Sequence, residues 1–227
     1  MQKYRIGLVG CGGIAHSHIN GYQTVAGELG EVVAGCDLNR EILDPFCDRY
    51  DVPHRFTNVQ DLINSGEVDV ITLLTPPSVR EEVIFPAAES GVHLLVEKPF
   101  AENIADAVSF VEAAERGGVV LAVSQQFRFM PEGSLLLQKR SATVDQATLR
   151  VHRLDGEIEQ RDCSGENIFR SAIGESMRRL LLAVDTGTEP THSGRDNLQT
   201  MSIVDAAYLS ASCGEQVEIA DVWSTKR

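Results

Sequence analysis

The sequence is poor in positive charge. Its 33 acidic residues outnumber 20 basic residues, which gives a formal net charge of -13 at pH 7. No run of lysine and arginine offsets this excess locally. Nucleic acids and anionic membrane surfaces are bound through clustered basic side chains. The composition therefore argues against both as partners.

Paired cysteines and long apolar runs are also absent. No CxxC pair indicates a zinc site or a disulfide framework. We therefore expect no bound metal, and cysteines that pack as small apolar residues in a reducing compartment. No uncharged apolar run approaches the length of a membrane span, and no signal peptide precedes the first apolar run. These absences predict a cytoplasmic protein. The five cysteines are Cys11, Cys36, Cys47, Cys163 and Cys213.

Within the first 127 residues, short apolar runs alternate with longer helical patterns. The runs are rich in Val, Ile and Leu without polar alternation, which is typical of parallel strands covered on both faces. This order predicts an α/β protein with a Rossmann-type, doubly wound parallel sheet in a domain of residues 1–127. Pro45 predicts that the second helix is short or begins late, and Asn58 and Ser78 are candidate N-caps. The predicted strands are Arg5–Val9, Glu31–Cys36, Val68–Thr75, His93–Glu97 and Val119–Ser124, and the predicted helices are Ile14–Ala26, Arg40–Tyr50, Val59–Ser65, Val79–Ser90 and Ile104–Arg116.

After Phe127 the pattern changes. Fewer strand signals remain, and two long amphipathic helices dominate the sequence. Residues 128–227 are thus expected to form a much reduced α+β region. Its predicted elements are a short helix near Pro131, a hairpin turning at Asp155-Gly156, helices over Ile168–Thr186 and Arg195–Cys213, and a final strand with the sequence QVEIADVW.

The stretch IGLVGCGGIAHSH, near the amino terminus, fits the glycine pattern of a dinucleotide-binding loop between a strand and a helix. Gly10 permits the tight turn, and Gly12 lets the backbone approach a pyrophosphate without a Cβ in the way. The N–H groups at the start of the helix, around Gly13 and Ile14, then face the phosphates. A tight turn alone could use the same glycines, so the pattern needs support from elsewhere in the sequence.

Asp37 supplies that support. It ends the second predicted strand in VVAGCD, where a carboxylate accepts hydrogen bonds from both ribose hydroxyls of NAD and repels the 2′-phosphate of NADP. The alternative is that Asp37 only caps the following helix. Asn39 and Arg40 lie close enough to keep NADP open as the cofactor. We therefore predict a site for NAD, with NADP as the alternative.

Three further motifs complete a pattern: His18 after the glycine loop, TPP at Thr75–Pro77 and EKP at Glu97–Pro99. With the glycine loop and Asp37, they make the chain resemble the Gfo/Idh/MocA oxidoreductase family. QQFRFMP is similar to the family's segment after the sixth strand. The C-terminal part is similar to the family's ending, in which a late helix packs back on the nucleotide domain. The resemblance covers about residues 1–131 and 146–220.

The resemblance implies NAD(P)-dependent oxidation of a sugar or polyol carbon, or the reverse reduction. It implies that Lys98 is the catalytic residue, with an ammonium that polarises the reacting oxygen. Pro99 is implied to shape the turn after Lys98, with a cis bond as one option. Relatives often carry a histidine where this sequence has Arg80. We expect Arg80 at the surface, and attraction of an acidic substrate is the alternative. The residues implied to line the cofactor cleft are Thr75, Pro76, Pro77, Glu97 and Lys98.

One segment of the family pattern is missing. Between Arg140 and Gln146, full-length relatives carry a long segment that builds most of an open antiparallel sheet and holds a glycine-rich motif. An Asp and a His of that motif flank the substrate. His152 and Asp155 spell H-x-x-D, but they belong to the predicted hairpin with no glycine run before them, and we do not expect them to replace that pair. The other histidines without a predicted catalytic role are His16 and His18 beside the glycine loop, His93 at the start of a predicted strand, and His54 and His192 in predicted loops.

Two functions therefore stay open. The chain could be a minimal oxidoreductase that uses Lys98, with its pocket completed by the hairpin, by Gln125–Arg128 or by a partner subunit of a homo-oligomer. It could instead be a remnant that binds a dinucleotide without turnover, as a sensor, scaffold or partner subunit. The missing segment is what keeps both functions open, because it would have supplied the base and most of the pocket.

Overall fold

Six parallel strands form the centre of the molecule. The computed structural model describes residues 3–130, 141–145, 148–152, 158–162 and 168–219. The strand order is β3-β2-β1-β4-β5-β6, and every pairing is parallel, which confirms the predicted doubly wound Rossmann-type sheet. The strands are β1 (Tyr4–Val9), β2 (Gly30–Cys36), β3 (His54–Phe56), β4 (Val70–Leu73), β5 (His93–Glu97) and β6 (Leu121–Ser124).

Burial explains which strands the sequence reveals. All residues of β4 and β6 are buried, so each strand appears as an uninterrupted apolar run with one hydroxyl residue. β3 is different because it lies at the sheet edge, has three residues and is only partly covered. The sequence analysis missed it for that reason.

The helices follow the predicted order with some different bounds. Helix α1 continues as a π-helix over Tyr22–Ala26. We expected Pro45 to shorten α2, and that expectation is wrong. Pro45 and Glu41 are exposed, so water can reach the Glu41 carbonyl that loses its helical partner. Ser78 is not an N-cap, since it lies in a 3₁₀ turn over Pro77–Val79, whereas Asn58 caps its helix as predicted. The helices are α1 (Ala15–Gly21), α2 (Arg40–Tyr50), α3 (Val59–Asn64), α4 (Glu81–Glu89), α5 (Ile104–Gly117), α6 (Ile168–Thr186) and α7 (Gly194–Cys213).

A small antiparallel sheet follows the Rossmann part of the chain. The predicted hairpin is present as β8 (Thr148–His152) paired with β9 (Ile158–Asp162). The sequence analysis expected two strands here, and that expectation was incomplete because β7 (Ser141–Asp145) pairs with the other edge of β8. A third strand gives the hairpin the additional pairing that a two-stranded ribbon lacks. The predicted turn at Asp155-Gly156 and the predicted helix near Pro131 lie outside the described residues.

Both C-terminal helices pack on the parallel-sheet part of the chain. Helix α6 lies against α1 and the π-helix, and α7 lies against α5. The final strand predicted for QVEIADVW is wrong over its described part, because residues 216–219 pair with no strand, although Val217 packs against the core. Within the described residues, no helix combines the length and the apolarity that crossing a membrane requires.

The contact between α1 and α6 is made by two glycines. A Cβ on Gly21 would lie 3.0 Å from the backbone nitrogen of Gly174, and a Cβ on Gly174 would lie 2.7 Å from the Cβ of Val25. A Cβ on Gly21 would lie closer still to the Arg170 carbonyl oxygen, and real Cβ atoms essentially never come within 3.0 Å of another atom, so glycine at these two positions lets the helices meet at this distance. The N-terminal region that follows the glycine loop is therefore fixed by a helix more than 140 residues later in the sequence.

We expect Gly174→Ala to destabilise the protein. Alanine is favoured over glycine inside a helix by about 1 kcal/mol, but the close backbone approach forces the helices apart, which costs about 1–3 kcal/mol or more. The net loss should lower the melting temperature by several degrees in a thermal unfolding experiment. The control Gln199→Ala, at an exposed site on α7, should change it little. A melting temperature for Gly174→Ala at or above that of the unmodified chain would contradict the close contact.

Candidate functional site

The glycine loop leaves β1 and enters α1 with open space above it. Gly10 has a φ of 94°, in the region that favours glycine, and its N–H donates to the carbonyl of Cys36 at the end of β2 (2.8 Å). Gly12 and Gly13 are exposed, and a Cβ on either would meet no atom within 4 Å. Ile14 is the N-cap residue of α1, and no side chain caps the helix. The loop thus offers uncovered backbone at a helix start, as a pyrophosphate requires.

Asp37 lies beside this loop, directly after β2. Its Oδ2 accepts a hydrogen bond from the N–H of Cys11 (2.9 Å), and its Oδ1 accepts one from the N–H of Asn39 (2.9 Å). The capping alternative is wrong, because Asn39 is the N-cap of α2 and accepts from the N–H of Glu41 (2.9 Å). Asp37 is only partly buried, so its carboxylate ties the glycine loop to the end of β2 and still faces solvent.

The TPP and EKP motifs end the neighbouring strands β4 and β5 at the same edge of the sheet. Thr75 is half-buried, and its hydroxyl oxygen has no hydrogen-bond partner among the described residues. Pro76 is exposed, and Pro77 begins the 3₁₀ turn. Lys98 is exposed at this edge, and its peptide bond to Pro99 is cis. The glycine loop, Asp37 and these two motifs thus all lie at the carboxyl edge of the parallel sheet.

Glu97 lies immediately before Lys98 and is buried, not open to a cleft. Its Oε1 accepts from Nε2 of His18 on α1 (2.9 Å), and its Oε2 accepts from the N–H of Lys98 (3.0 Å). The other ring nitrogen of His18 is 2.8 Å from the hydroxyl of Tyr22, which is 3.0 Å from the hydroxyl of Thr72 in β4. His18 thus joins Glu97 to Tyr22 and Thr72 in one buried chain of polar contacts.

This buried network keeps Glu97 ionised. Burial acts to raise its pKa, but the hydrogen bond and the electrostatic interaction with His18, together with the hydrogen bond from the Lys98 N–H, lower it, and the pKa is below its ordinary value. Burial also raises the pKa of Tyr22. The sequence analysis did not link these residues. The spacing of His18 and Tyr22, one helical turn apart, was the available signal that both face one buried partner.

Arg80 was expected at the surface, and that expectation is wrong. Its side chain is 1% exposed, which makes it the largest fully buried side chain among the described residues. One guanidinium nitrogen donates to the carbonyl of Pro99 and the other to the carbonyl of Thr75 (3.0 Å). Burial lowers its pKa to about 10, and the nearby Glu97 opposes that effect, so the group stays cationic at neutral pH. No local sequence pattern distinguishes it from an exposed arginine at the start of a helix.

The remaining histidines have structural surroundings. His192 is buried, donates from Nε2 to the carbonyl of Ser176 (3.1 Å), and has a pKa lowered to about 4 by burial. Nδ1 of His16 is 2.9 Å from the hydroxyl of Tyr50. His54 lies in β3 rather than in a loop. His152 lies in β8, but Asp155 lies outside the described residues, so the H-x-x-D pair stays unplaced.

The segment after β6 forms one further side of this edge. Residues Gln126–Phe129 make a 3₁₀ turn, and β6 pairs with β5 so that Ser124 lies beside Glu97. Phe127 is 66% exposed in this turn.

Three of the cysteines are buried, and burial raises the pKa of the Cys11 and Cys36 thiols to about 12. These thiols are packing groups and not nucleophiles.

Comparison with known proteins agrees with this geometry. Residues 4–125 match the model of GFO_IDH_MocA, an oxidoreductase family with an NAD-binding Rossmann fold. The chain is 28% identical over 131 residues to D-apiose dehydrogenase from Paraburkholderia graminis, which covers 58% of this chain and 34% of that protein. It is 31% identical over 124 residues to 1,5-anhydro-D-fructose reductase from Ensifer adhaerens, covering 55% of this chain and 37% of that protein.

Solved structures share the fold. An oxidoreductase from Agrobacterium radiobacter, in complex with NAD+, L-tartaric acid and magnesium, matches with a TM-score of 0.83 and 17% identity. The match covers 97% of this chain and 99% of that one. At this identity the similarity shows a common fold and nothing finer. The curated relatives above are longer proteins, and the matched parts span 34% and 37% of their lengths.

We expect Glu97→Gln to destabilise the protein in a pH-dependent way. The stabilisation by the carboxylate is complete above the pKa of an unfolded glutamate, about 4.3. It is lost as the pH falls through the lower folded pKa. Urea unfolding should show a deficit of about 2 kcal/mol at neutral pH, and a smaller one below about pH 4.

The matched control is Glu28→Gln, an exposed site, which should unfold like the unmodified chain at both pH values. A deficit for Glu97→Gln that has the same size at both pH values would contradict a paired, ionised carboxylate.

Proposed function

The chain belongs to the Gfo/Idh/MocA oxidoreductase family, and from this premise we propose that it binds a nicotinamide dinucleotide and transfers a hydride. The substrate class is a sugar, a polyol or a related hydroxy compound. One observation carries the proposal. The glycine loop, Asp37 and Lys98 lie at the carboxyl edge of one parallel sheet, which is where doubly wound folds bind their ligands.

The residues around the glycine loop fit the cofactor. The open space over Gly12 and Gly13 leaves room for a pyrophosphate, and the uncapped start of α1 favours its negative charge. Asp37 would accept hydrogen bonds from the ribose hydroxyls, and its existing contact with the Cys11 N–H fixes its distance from the loop. A carboxylate here favours NAD over NADP, because it repels a 2′-phosphate. Thr75, Pro76 and Pro77 would line the cleft further along the edge.

Lys98 is the proposed catalytic residue. When bound, the nicotinamide accepts or donates the hydride. The Lys98 Nζ would donate a hydrogen bond to the substrate oxygen, which stabilises the negative charge that this oxygen carries once an alcohol has lost its proton, or that grows there as a carbonyl carbon gains a hydride. The buried Glu97 does not contact substrate in this proposal. It fixes the backbone from which Lys98 extends, through the hydrogen bond from the Lys98 N–H.

In this proposal, residues 1–127 bind the cofactor and residues 128–227 form the rest of the pocket. Phe127, which is exposed in the 3₁₀ turn after β6, would offer an apolar face to a sugar ring. A partner subunit of a homo-oligomer would complete the pocket over the nicotinamide. The proposed location is the cytoplasm.

A second function has one observation in its favour. The matched parts span only 34% and 37% of the length of two sugar-active relatives, and the glycine-rich catalytic segment is missing from this sequence. Binding of the dinucleotide without turnover, as in a sensor or scaffold, is therefore the competing function. The two functions share the cofactor site and differ in the role of Lys98.

We expect Asp37→Ala to weaken NAD binding about tenfold, because the ribose hydroxyls lose charged acceptors, and to reduce the preference for NAD over NADP. Asp37→Asn should keep an acceptor for the Cys11 N–H and still reduce that preference. Calorimetric titration with both cofactors measures this. The control Asp61→Ala, at an exposed site on α3, should bind as the unmodified chain does. Unchanged affinities in both Asp37 variants would refute the ribose assignment.

We expect Lys98→Ala to lower kcat by about 10²-fold or more while NADH affinity changes little. The assay is a panel of polyols, sugars and sugar acids, followed by the absorbance of NADH. Lys3→Ala, another exposed lysine, is the control and should retain turnover. NADH binding with no turnover on any compound of the panel would favour the non-catalytic function, and full turnover in Lys98→Ala would exclude Lys98 as the catalytic residue.

A further inference from the structure

Arg80 is a buried cation beside the proposed active site. It follows the 3₁₀ turn after β4, and its backbone is the N-cap of α4. Arginine is rarely buried this completely unless an acidic side chain pairs with it. Here the guanidinium forms hydrogen bonds to two neutral carbonyl groups, and its Nε has no partner among the described residues. An apolar side chain could fill the space of Arg80 without a buried charge. The hydrogen bonds to the two carbonyl groups are therefore what arginine contributes at this position.

The two carbonyl groups belong to the two motifs of the active-site edge. Thr75 is the first residue of TPP after β4, and Pro99 is the last residue of EKP after β5. One planar guanidinium therefore joins the loops that leave adjacent strands. Because the guanidinium donors have a fixed geometry, Arg80 holds the two loops together and also sets the distance between them.

Glu97 does not form an ion pair with Arg80 that would explain the burial. Its Oε1 accepts from His18, and its Oε2 accepts from the N–H of Lys98. Glu97 acts on Arg80 only through its charge. The two groups hold the backbone around Lys98 from opposite ends: Glu97 binds the N–H of Lys98, and Arg80 binds the carbonyl of the next residue, Pro99.

We propose that Arg80 is a positioning residue for Lys98, holding the turn after β5 against the loop after β4 so that the lysine side chain starts from a fixed backbone. The inference rests on the proposed function, because that function makes Lys98 the catalytic residue. Lys98 is exposed, so its own packing does little to orient it. Its backbone contacts through Glu97 and Arg80 therefore carry most of the constraint.

The chain allows a direct test because it has four lysines: Lys3, Lys98, Lys139 and Lys226. Reductive methylation with ¹³C-formaldehyde keeps the lysine charge and gives each lysine an NMR signal. Lys98→Arg identifies the signal of Lys98 by its loss. The variants to compare are Arg80→Met, which fills space without hydrogen bonds, and Arg80→Lys, which keeps the charge and one donor group.

We expect the Lys98 signal to shift or broaden in Arg80→Met while the signals of the other lysines stay in place. Arg80→Lys should give an intermediate position. On a substrate found by the panel, kcat of Arg80→Met should fall about tenfold or more, with NADH affinity within about threefold of the unmodified chain, and Arg80→Lys should recover part of the loss. The control Arg116→Met removes an exposed arginine on α5 and should leave the Lys98 signal unchanged.

The proposal is overturned if folded Arg80→Met or Arg80→Lys gives a Lys98 signal that coincides with that of the unmodified chain. Should Arg80→Met unfold, Arg80→Lys alone decides. Leu198→Ala, a core change on α7, reports what general destabilisation does to the Lys98 signal, and an equal shift there would also overturn the proposal. A moved Lys98 signal in an Arg80 variant, together with NADH binding and no turnover on any compound of the panel, would count against the proposed function and leave the positioning role standing.

Discussion

The buried carboxylate of Glu97 is the contact on which the candidate site depends. It joins His18, on the helix that follows the glycine loop, to the backbone of Lys98. The loop that would bind phosphates and the lysine that would meet the substrate are thereby fixed to each other through one side chain. A charged group in the interior is stable only when its hydrogen bonds are made. The pKa of Glu97 lies below its ordinary value because its interactions with His18 and with the Lys98 N–H outweigh its burial.

The parallel sheet explains why so few residues can form a site. Strands of a parallel sheet all end at the same edge, so segments far apart in sequence meet there without further elements. The chain keeps this edge intact, and in the part that the structure describes a three-stranded antiparallel sheet and two helices follow it. The contact of α1 with α6 through Gly21 and Gly174 adds rigidity from the C-terminal part of the chain. Cofactor binding needs only this edge, whereas turnover also needs a closed pocket.

The sequence was sufficient for the features that repeat along the chain and insufficient for those that do not. Buried parallel strands and amphipathic helices have a period, so most elements of the Rossmann part were predicted. Edge strand β3 has three partly covered residues and was missed, and strand β7 was missed as well. The glycine loop and Asp37 belong to a local pattern and could be located, but the partners of Glu97 and the burial of Arg80 come from residues brought together by the fold. No period or spacing along the chain encodes such long-range contacts.

The central claim is that the loop after β1 and Asp37 hold a nicotinamide dinucleotide beside Lys98. Isothermal titration calorimetry of the unmodified chain with NAD and NADH, carried to millimolar concentration, tests it most directly. The account predicts saturable binding at one site per chain for at least one of the two forms. The absence of any binding heat for both forms, in a chain whose circular dichroism shows it to be folded, would contradict it.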